Sequence, residues 1–189
     1  MERNIKAAQL LFKKNKHLET IQKCEELVNS NIDSIEALQL MAKSMTILGE
    51  KENAILSLKK ALDLNPNALE IHHELGNLYQ ALSNINYAKK HYQNAIQIKN
   101  NYAPALTNLG VIELIDGNKE QALPLLIKAT QSDHKLSAAW INLANGLFQI
   151  RQLEKAEQAC IKGVQLNSKL FNAHFLLSMI LSDQKKFPE

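Results

Sequence analysis

The sequence predicts an all-α, right-handed solenoid of five 34-residue helix pairs followed by one extra helix. Small residues recur 34 positions apart, at Ala8, Ala42, Gly76, Gly110, Ala144 and Ser178. A second series of the same period begins twelve positions later, at Thr20, Ala54, Ala88, Ala122 and Ala156. A fixed period of about 20–50 residues is typical of stacked repeats, each of which contacts only its neighbours.

Large apolar residues lie three and four positions from each small residue, so each half-repeat is predicted to be one amphipathic helix. Asn15 and Gly49 follow the first helix of their repeats, where either residue can adopt the left-handed conformation that ends a helix. Pro66 stands where the second helix of its repeat should have ended. The predicted helices span 2–14, 18–29, 35–48, 51–64, 69–82, 85–98, 103–116, 119–131, 137–150, 153–166 and 171–183.

The later helices have their own markers. Pro104 opens the seventh helix at a position that tolerates a missing N–H, and Gly117 ends it. Pro124 lies inside the eighth helix and is expected to shift or kink its start. Trp140 is the large residue of the ninth helix, and Phe171 begins the eleventh.

Two repeats show the shared pattern clearly. One reads His72-His-Glu-Leu75-Gly76-Asn-Leu-Tyr79, then Ala88-Lys-Lys-His-Tyr92. The other reads Trp140-Ile-Asn-Leu143-Ala144-Asn-Gly-Leu147, then Ala156-Glu-Gln-Ala-Cys160. This pattern resembles the tetratricopeptide repeat (TPR) family, whose consensus is Trp-x2-Leu-Gly-x2-Tyr followed by Ala-x3-Phe. The resemblance implies one TPR superhelix over residues 1–189, with repeats at 1–34, 35–68, 69–102, 103–136 and 137–170 and a partial repeat at 171–189.

Composition narrows the function classes. The chain has 22 basic and 19 acidic residues and a net charge of +3, which does not indicate binding to nucleic acid or to membranes. No apolar run approaches about 18 residues, so no transmembrane helix is expected. The N-terminus lacks the apolar stretch of a secretory signal, and a cytoplasmic location is expected. Cys24 and Cys160 stand four repeats apart, so they are predicted to be buried thiols rather than a disulfide.

No catalytic constellation is evident. His73-Glu74-Leu-Gly-Asn77 comes within one residue of the His-Glu-x-x-His zinc motif, but Asn77 replaces the second His. The sequence shows no nucleophile–base pairing and no glycine-rich phosphate loop. We therefore expect no catalytic residues, no metal and no cofactor within this segment.

The TPR resemblance implies that the first helix of each repeat lines a concave groove. The candidate groove residues are Gln39, Lys43, His73, Asn77, Asn108, Val111, Leu114, Ile141, Asn142, Asn145 and Phe148. The segments 108–110 and 140–145 resemble the groove repeats of O-linked N-acetylglucosamine transferases and related bacterial proteins, which implies an asparagine ladder that grips a peptide backbone. The alternative is that these Asn residues only cap helices or solvate the face. A second groove type, the carboxylate clamp of chaperone-adaptor TPR proteins, needs Lys or Arg beside such Asn residues. This sequence has His73, Asn145 and Gln149 at those positions, so binding of an acidic chaperone tail is not expected.

These features favour a scaffold that binds an extended peptide or partner protein in the groove, with the apolar residues from Val111 to Phe148 supplying selectivity. One alternative is the targeting arm of a larger transferase-type enzyme, truncated at Glu189. A helical-repeat RNA binder is the least favoured reading, because the groove has few basic residues and such arrays have a period of about 35 residues.

The last helix is unusually apolar for a terminal one, which normally has a polar outer face. We expect its exposed stripe to form a homodimer contact through Phe171, Phe175, Leu177 and Ile180.

Overall fold

The computed structural model describes residues 2–30 and 34–186, and within these ranges all regular structure is α-helical. The helices are α1 (Glu2–Lys13), α2 (His17–Asn29), α3 (Ser34–Ile47), α4 (Lys51–Leu64), α5 (Leu69–Ala81), α6 (Ile85–Ile98), α7 (Ala103–Ile115), α8 (Lys119–Ser132), α9 (Ser137–Gln149), α10 (Leu153–Leu166) and α11 (Phe171–Lys186). The predicted all-α fold is confirmed, and most helix ends lie within a residue or two of the prediction. The largest difference is α11, which continues to Lys186 instead of ending at 183.

The helices form two compact units, Met1–His91 and Tyr92–Glu189, which divide within α6. We call them the N-terminal and C-terminal units. The N-terminal unit contains α1 to α5 and the start of α6. The C-terminal unit contains the rest of α6 and α7 to α11. The grouping of residues 1–189 into one domain stays a prediction.

One turn geometry recurs between the two helices of every repeat. Five residues spaced by 34 have positive φ: Asn15 (58°), Gly49 (86°), Ser83 (58°), Gly117 (82°) and Arg151 (64°). At each turn the N–H of the following residue bonds to a carbonyl five positions back, as in Asn84 to Tyr79 at 2.8 Å and Asn118 to Glu113 at 2.8 Å. This is the Schellman motif, which satisfies carbonyls left over at a helix end. The prediction for Asn15, Gly49 and Gly117 is confirmed; Ser83 and Arg151 have the same conformation without the residue type that favours it.

Small residues are buried where paired helices approach each other most closely. Ala42 and Ala144 are fully or almost fully buried, as are Ala54, Ala122 and Ala156 of the second series. A Cβ added at Gly110 would lie 2.8 Å from Cγ of Leu126, so α7 and α8 have no room for a larger residue there. The small-residue pattern therefore marks close helix contacts, except at Ser178, which is exposed.

The expectation that Pro124 would shift the start of α8 was wrong. The helix begins at Lys119, five residues before the proline, and Pro124 lies inside it with an exposed side chain. The first turn forms because the carbonyl of Asn118 accepts bonds from Gln121 at 3.1 Å and Ala122 at 3.0 Å. The preceding Schellman turn at Gly117 thus determines where α8 starts.

Both cysteines are buried free thiols, as predicted. Burial raises the pKa of Cys24 to about 11, with a smaller contribution from the nearby Glu25 carboxylate. Burial also raises the pKa of Cys160, whose Sγ donates to the carbonyl of Ala173 at 3.3 Å. Thiols with raised pKa values are poor nucleophiles at neutral pH, so these residues have a packing role.

Candidate binding site

An apolar cavity of about 480 Å³ lies in the N-terminal unit, lined mainly by α1, α3 and α5, with Lys51 and Leu58 of α4. We call it the inner cavity. It is lined by Phe12, Ala42, Lys43, Thr46, Ile47, Lys51, Leu58, Glu74, Asn77, Leu78 and Ala81. Concave sites with an apolar lining and a few polar groups are typical of ligand and peptide recognition. Lys43 and Asn77, both predicted as groove residues, lie on its edge.

Two of the charged groups that line the cavity are paired with each other, and the third, Lys51, donates from Nζ to the carbonyl of Ala81 at 3.5 Å. Lys43 Nζ lies 3.1 Å from Oε1 of Glu74, so α3 and α5 are joined by an ion pair. Burial raises the pKa of Glu74, and the ammonium of Lys43 opposes that shift. Lys43 is therefore not an isolated cation in the groove, because Glu74 is its partner.

The remaining predicted residues of the N-terminal unit lie beside this pair. Gln39 is half-buried on α3, and His73 is half-buried on α5, where burial lowers the pKa of its imidazole. Asn77 is exposed and lines the cavity, and its carboxamide, which already interacts within the chain, carries two donors and an acceptor. Its position next to apolar lining residues suits recognition of a peptide backbone beside an apolar side chain.

Two asparagines of the C-terminal unit already bond within the chain. The side chain of Asn108 donates to the hydroxyl of Tyr92, which lowers the pKa of that phenol although burial raises it to about 12 overall. Nδ2 of Asn142 donates to the carbonyl of Ala138 at 2.9 Å within its own helix. Asn145 is half-buried on the same helix. A ladder use of Asn142 would rely on its carbonyl oxygen and second N–H group.

The predicted apolar patch is largely used for helix packing. Leu114 is only 6 % exposed and belongs to the hydrophobic cluster of α7 to α10, so it is not available to a ligand. Ile141 packs closely on α10, because a Cβ at Gly163 would lie 2.5 Å from its Cγ1. Phe148 is partly buried against the same cluster, and Val111 is half-buried. The structure thus corrects the expectation of an open apolar surface here.

The C-terminal helix also differs from its predicted contact face. Phe171 and Phe175 are 78 % and 59 % exposed, as a contact stripe requires. Ile180 is fully buried and Leu177 is partly buried, both in the cluster of α7 to α10. Since Ile180 packs inside the chain, it cannot contact a second copy, and Met179, 39 % exposed, lies on the open side instead.

Sequence reasoning missed Phe12, the residue of α1 that lines the inner cavity. Phe12 lies 34 positions before Thr46, which lines the same cavity, so extending the groove positions into the first repeat would have identified it. Leu78 was missed for a different reason: it is buried at a helix contact position and only the packing leaves part of it open to the cavity. Ala81 is exposed at the end of α5, at the position that Ile47 holds in α3.

Within the part of the chain that the structure describes, no group of three His, Cys, Asp or Glu residues is placed to hold a metal ion. None of the described helices combines the length and apolar character required to cross a membrane.

Comparison with known proteins identifies the repeat type. A family model described as "TPR repeat" matches residues 43–83, and one described as "Tetratricopeptide repeat" matches residues 69–102. BBSome complex member BBS4 of Xenopus tropicalis is 32 % identical over 114 residues, which cover 60 % of this chain and 21 % of BBS4. Anaphase-promoting complex subunit cut9 of Schizosaccharomyces pombe is 28 % identical over 152 residues, which cover 76 % of this chain and 22 % of cut9. The chain spans about a fifth of the length of these relatives.

Solved structures share the fold. The Cut9 chain of the Cut9–Hcn1 hetero-tetramer superposes with a TM-score of 0.80 at 21 % identity, covering 96 % of this chain and 36 % of that one. MamA superposes with a TM-score of 0.74 at 20 % identity, covering 86 % of this chain and 95 % of MamA. Similarity at this identity establishes the fold alone. Residues 43–102 therefore match models of the tetratricopeptide repeat, and the all-α fold of the chain is shared with solved structures that include a TPR protein of Thermus thermophilus.

Proposed function

We propose that this chain is a protein-interaction scaffold that binds an extended peptide segment of a partner on the face formed by α1, α3 and α5. The observation that carries the proposal is the inner cavity of about 480 Å³, large enough for one bulky apolar side chain. Asn77 stands at its wall and can bond to the backbone of the peptide. The cavity would supply selectivity for the anchor side chain.

The relatives support an interaction role. BBS4 and cut9 are named as members of multi-subunit complexes, and Cut9 was crystallised with a second protein, Hcn1. A peptide-binding face in this chain is consistent with such assembly. The asparagine ladder of the transferase-type groove remains part of the proposal at Asn145, Asn108 and Asn142.

The two alternatives gain no support from these observations. The relatives reported are named as complex subunits rather than transferases, which does not favour a targeting arm of an enzyme. At the inner cavity Lys43 is paired with Glu74 and Lys51 donates to the carbonyl of Ala81, which does not favour an RNA-binding groove there.

A peptide-display selection against the full chain tests the proposal. Enriched peptides should share one bulky apolar residue, and Thr46→Phe, which places a ring in the inner cavity, should weaken their binding by about tenfold or more. The matched control is Glu52→Phe, which adds the same ring at an exposed position of α4 that does not line the cavity. Enriched peptides that bind the wild type and Thr46→Phe equally would contradict the site.

We also propose that the chain forms a homodimer through α11. Phe171 and Phe175 stand 34 residues after Ser137 and Ile141, which contact Gly163 of the helix that follows them. In α11 the same face is exposed, so a second copy of α11 can cover it.

A further inference from the structure

A second groove lies in the C-terminal unit, on a different helix face from the peptide site. Its volume is about 460 Å³, its floor is formed by Trp140, Leu143 and Leu147 of α9, and its walls come from α8 and α10. We call it the outer groove. Ile127 of α8 contributes an apolar wall and is 42 % exposed. Exposure of this apolar surface to water is unfavourable in free energy, and a bound partner would cover it.

The repeats themselves show that the outer groove is open because of particular substitutions. The equivalent place 68 residues earlier is filled: the ring of Tyr79 stacks on Tyr87 at 5.1 Å and on His91 at 5.5 Å between ring centroids. At the positions of Tyr87 and His91 the C-terminal unit has Lys155 and Ala159. The aromatic side chains that close the space in one repeat are thus absent in the other.

The intervening repeat supports the same comparison. Leu125 holds the position equivalent to His91 and Ala159, and it packs against a buried cluster that includes Leu106. Both His and Leu are therefore accommodated at this repeat position. The alanine at 159 removes the side chain that would otherwise occupy the outer groove.

Charge is distributed unevenly around the opening. Lys155 and Lys162 line the α10 wall, both are exposed, and no Asp or Glu is among the lining residues. Neither lysine is paired with a carboxylate within the ranges that the structure describes. They are seven residues apart, so they lie on one side of the helix about 10 Å from each other. This spacing matches acidic residues two turns apart on another helix.

We propose that the outer groove binds the apolar face of an acidic amphipathic helix from a partner protein. Leucine-like side chains at positions i, i+3 and i+4 of the partner would rest on Trp140 and on the exposed Ile127, in the way that helices occupy grooves between helices. Glutamates flanking that face would pair with Lys155 and Lys162. The indole N–H of Trp140 donates to the carbonyl of His134 at 3.0 Å, which fixes the ring as part of the floor.

Trp140 is the single tryptophan of the chain, so its fluorescence reports on the outer groove alone. The probe is a synthetic peptide of about four helical turns with leucines on one face and glutamates beside them. The control peptide has lysine in place of each glutamate. Titration of the full chain with the acidic peptide should give a saturable blue shift of Trp140 emission, and the lysine peptide should bind at least about tenfold more weakly.

Three variants locate the binding. Ala159→Leu, which restores the side chain of the preceding repeat, should weaken binding of the acidic peptide by about tenfold or more. The double variant Lys155→Glu/Lys162→Glu should weaken it by a similar factor. Lys169→Glu, exposed beyond the end of α10, should leave binding unchanged. If Ala159→Leu loses its helical circular dichroism signal, the double lysine variant alone tests whether the peptide binds in the outer groove.

Several results would overturn the proposal. One is the absence of a saturable shift with the acidic peptide, and another is equal binding of the acidic and lysine peptides. A response to single-stranded polyuridylate, but not to the acidic peptide, would assign the lysines to nucleic acid instead.

Discussion

At the scale of single residues, the conformation of the intra-repeat turn is set by its repeat position rather than by its side chain. Ser83 and Arg151 adopt φ values of 58° and 64°, although only glycine and asparagine do so readily. The Schellman hydrogen bonds and the packing of the paired helices hold them there. The residue types at these two positions therefore do not predict a left-handed turn, whereas their place in the 34-residue repeat does.

Ser83→Gly should stabilise the chain by about 0.5–1 kcal/mol, because it removes the steric cost of a left-handed Cβ and retains the turn. The urea midpoint should rise. Ser168→Gly, at an exposed turn residue that is not among those with positive φ, is the control and should give no gain. An equal or lower midpoint for Ser83→Gly would mean that the serine side chain stabilises the turn.

His91 links stability to pH. Its pKa is lowered from 6.5 to about 4, first by burial and then by His72, Lys90 and Lys59. Nδ1 of His91 lies 3.0 Å from Nδ1 of His72, an arrangement that leaves room for one proton between them. Because the unfolded chain binds the proton more readily, the stabilisation is complete above about pH 6.5 and is lost as the pH falls toward 4.

His91→Leu should therefore reduce the loss of stability between pH 7 and pH 5, since leucine occupies the equivalent position in the next repeat. Urea midpoints at the two pH values measure the effect. His134→Leu, at an exposed histidine, should keep the wild-type pH dependence. If His91→Leu were as pH-sensitive as the wild type, another group would be responsible.

At the scale of helices, the sequence located all eleven elements because two independent signals coincide. The small-residue series marks close contacts, and the turn residues mark the ends between them. The prediction failed where these signals were judged one at a time. Pro124 disfavours a helix locally, but the turn at Gly117 and the carbonyl of Asn118 start α8 before it. Tertiary context outweighs a single unfavourable residue.

Pro124→Ala should stabilise the chain by about 1–3 kcal/mol, because it restores a donor inside α8 and relieves the clash of the proline ring with the preceding turn. Its side chain is exposed, so little packing is lost. Thermal or urea unfolding measures the change. A destabilised Pro124→Ala would show that the ring makes a contact of its own.

The candidate site was only partly predictable, also for reasons that appear at the scale of helices. Periodicity placed Lys43 and Asn77 on one shared face, and both line the inner cavity. It could not show that Glu74 pairs with Lys43, or that Leu114 is covered by neighbouring helices. Those facts depend on the separation and rotation of adjacent helices, which a repeat pattern does not contain.

At the scale of the whole molecule, the exposed face of α11 predicts association. Phe171→Glu together with Phe175→Glu should convert a concentration-dependent dimer into a monomer without changing helical circular dichroism. Sedimentation measures the state, and Leu64→Glu, at another exposed apolar position, should leave the dimer intact. A wild-type chain that stays monomeric at high micromolar concentration would contradict the proposed contact.

The same scale separates the two proposed binding faces. The inner cavity belongs to the N-terminal unit and the outer groove to the C-terminal unit, and they differ in charge: Lys43 and Lys51 line the inner cavity together with Glu74, whereas Lys155 and Lys162 line the outer groove without a carboxylate. An apolar anchor suits the first, and an acidic helix suits the second. Thr46→Phe and Ala159→Leu should therefore affect different ligands.

The central claim is that a partner peptide binds on α1, α3 and α5. The most direct measurement is the change in backbone amide NMR shifts when a display-selected peptide is added to the full chain. We predict saturable shifts concentrated at residues around the inner cavity, including Phe12, Thr46 and Asn77, and their loss in Thr46→Phe. Shifts confined to the outward positions of α4, such as Glu52 and Lys60, or no saturable shifts at all, would contradict the account.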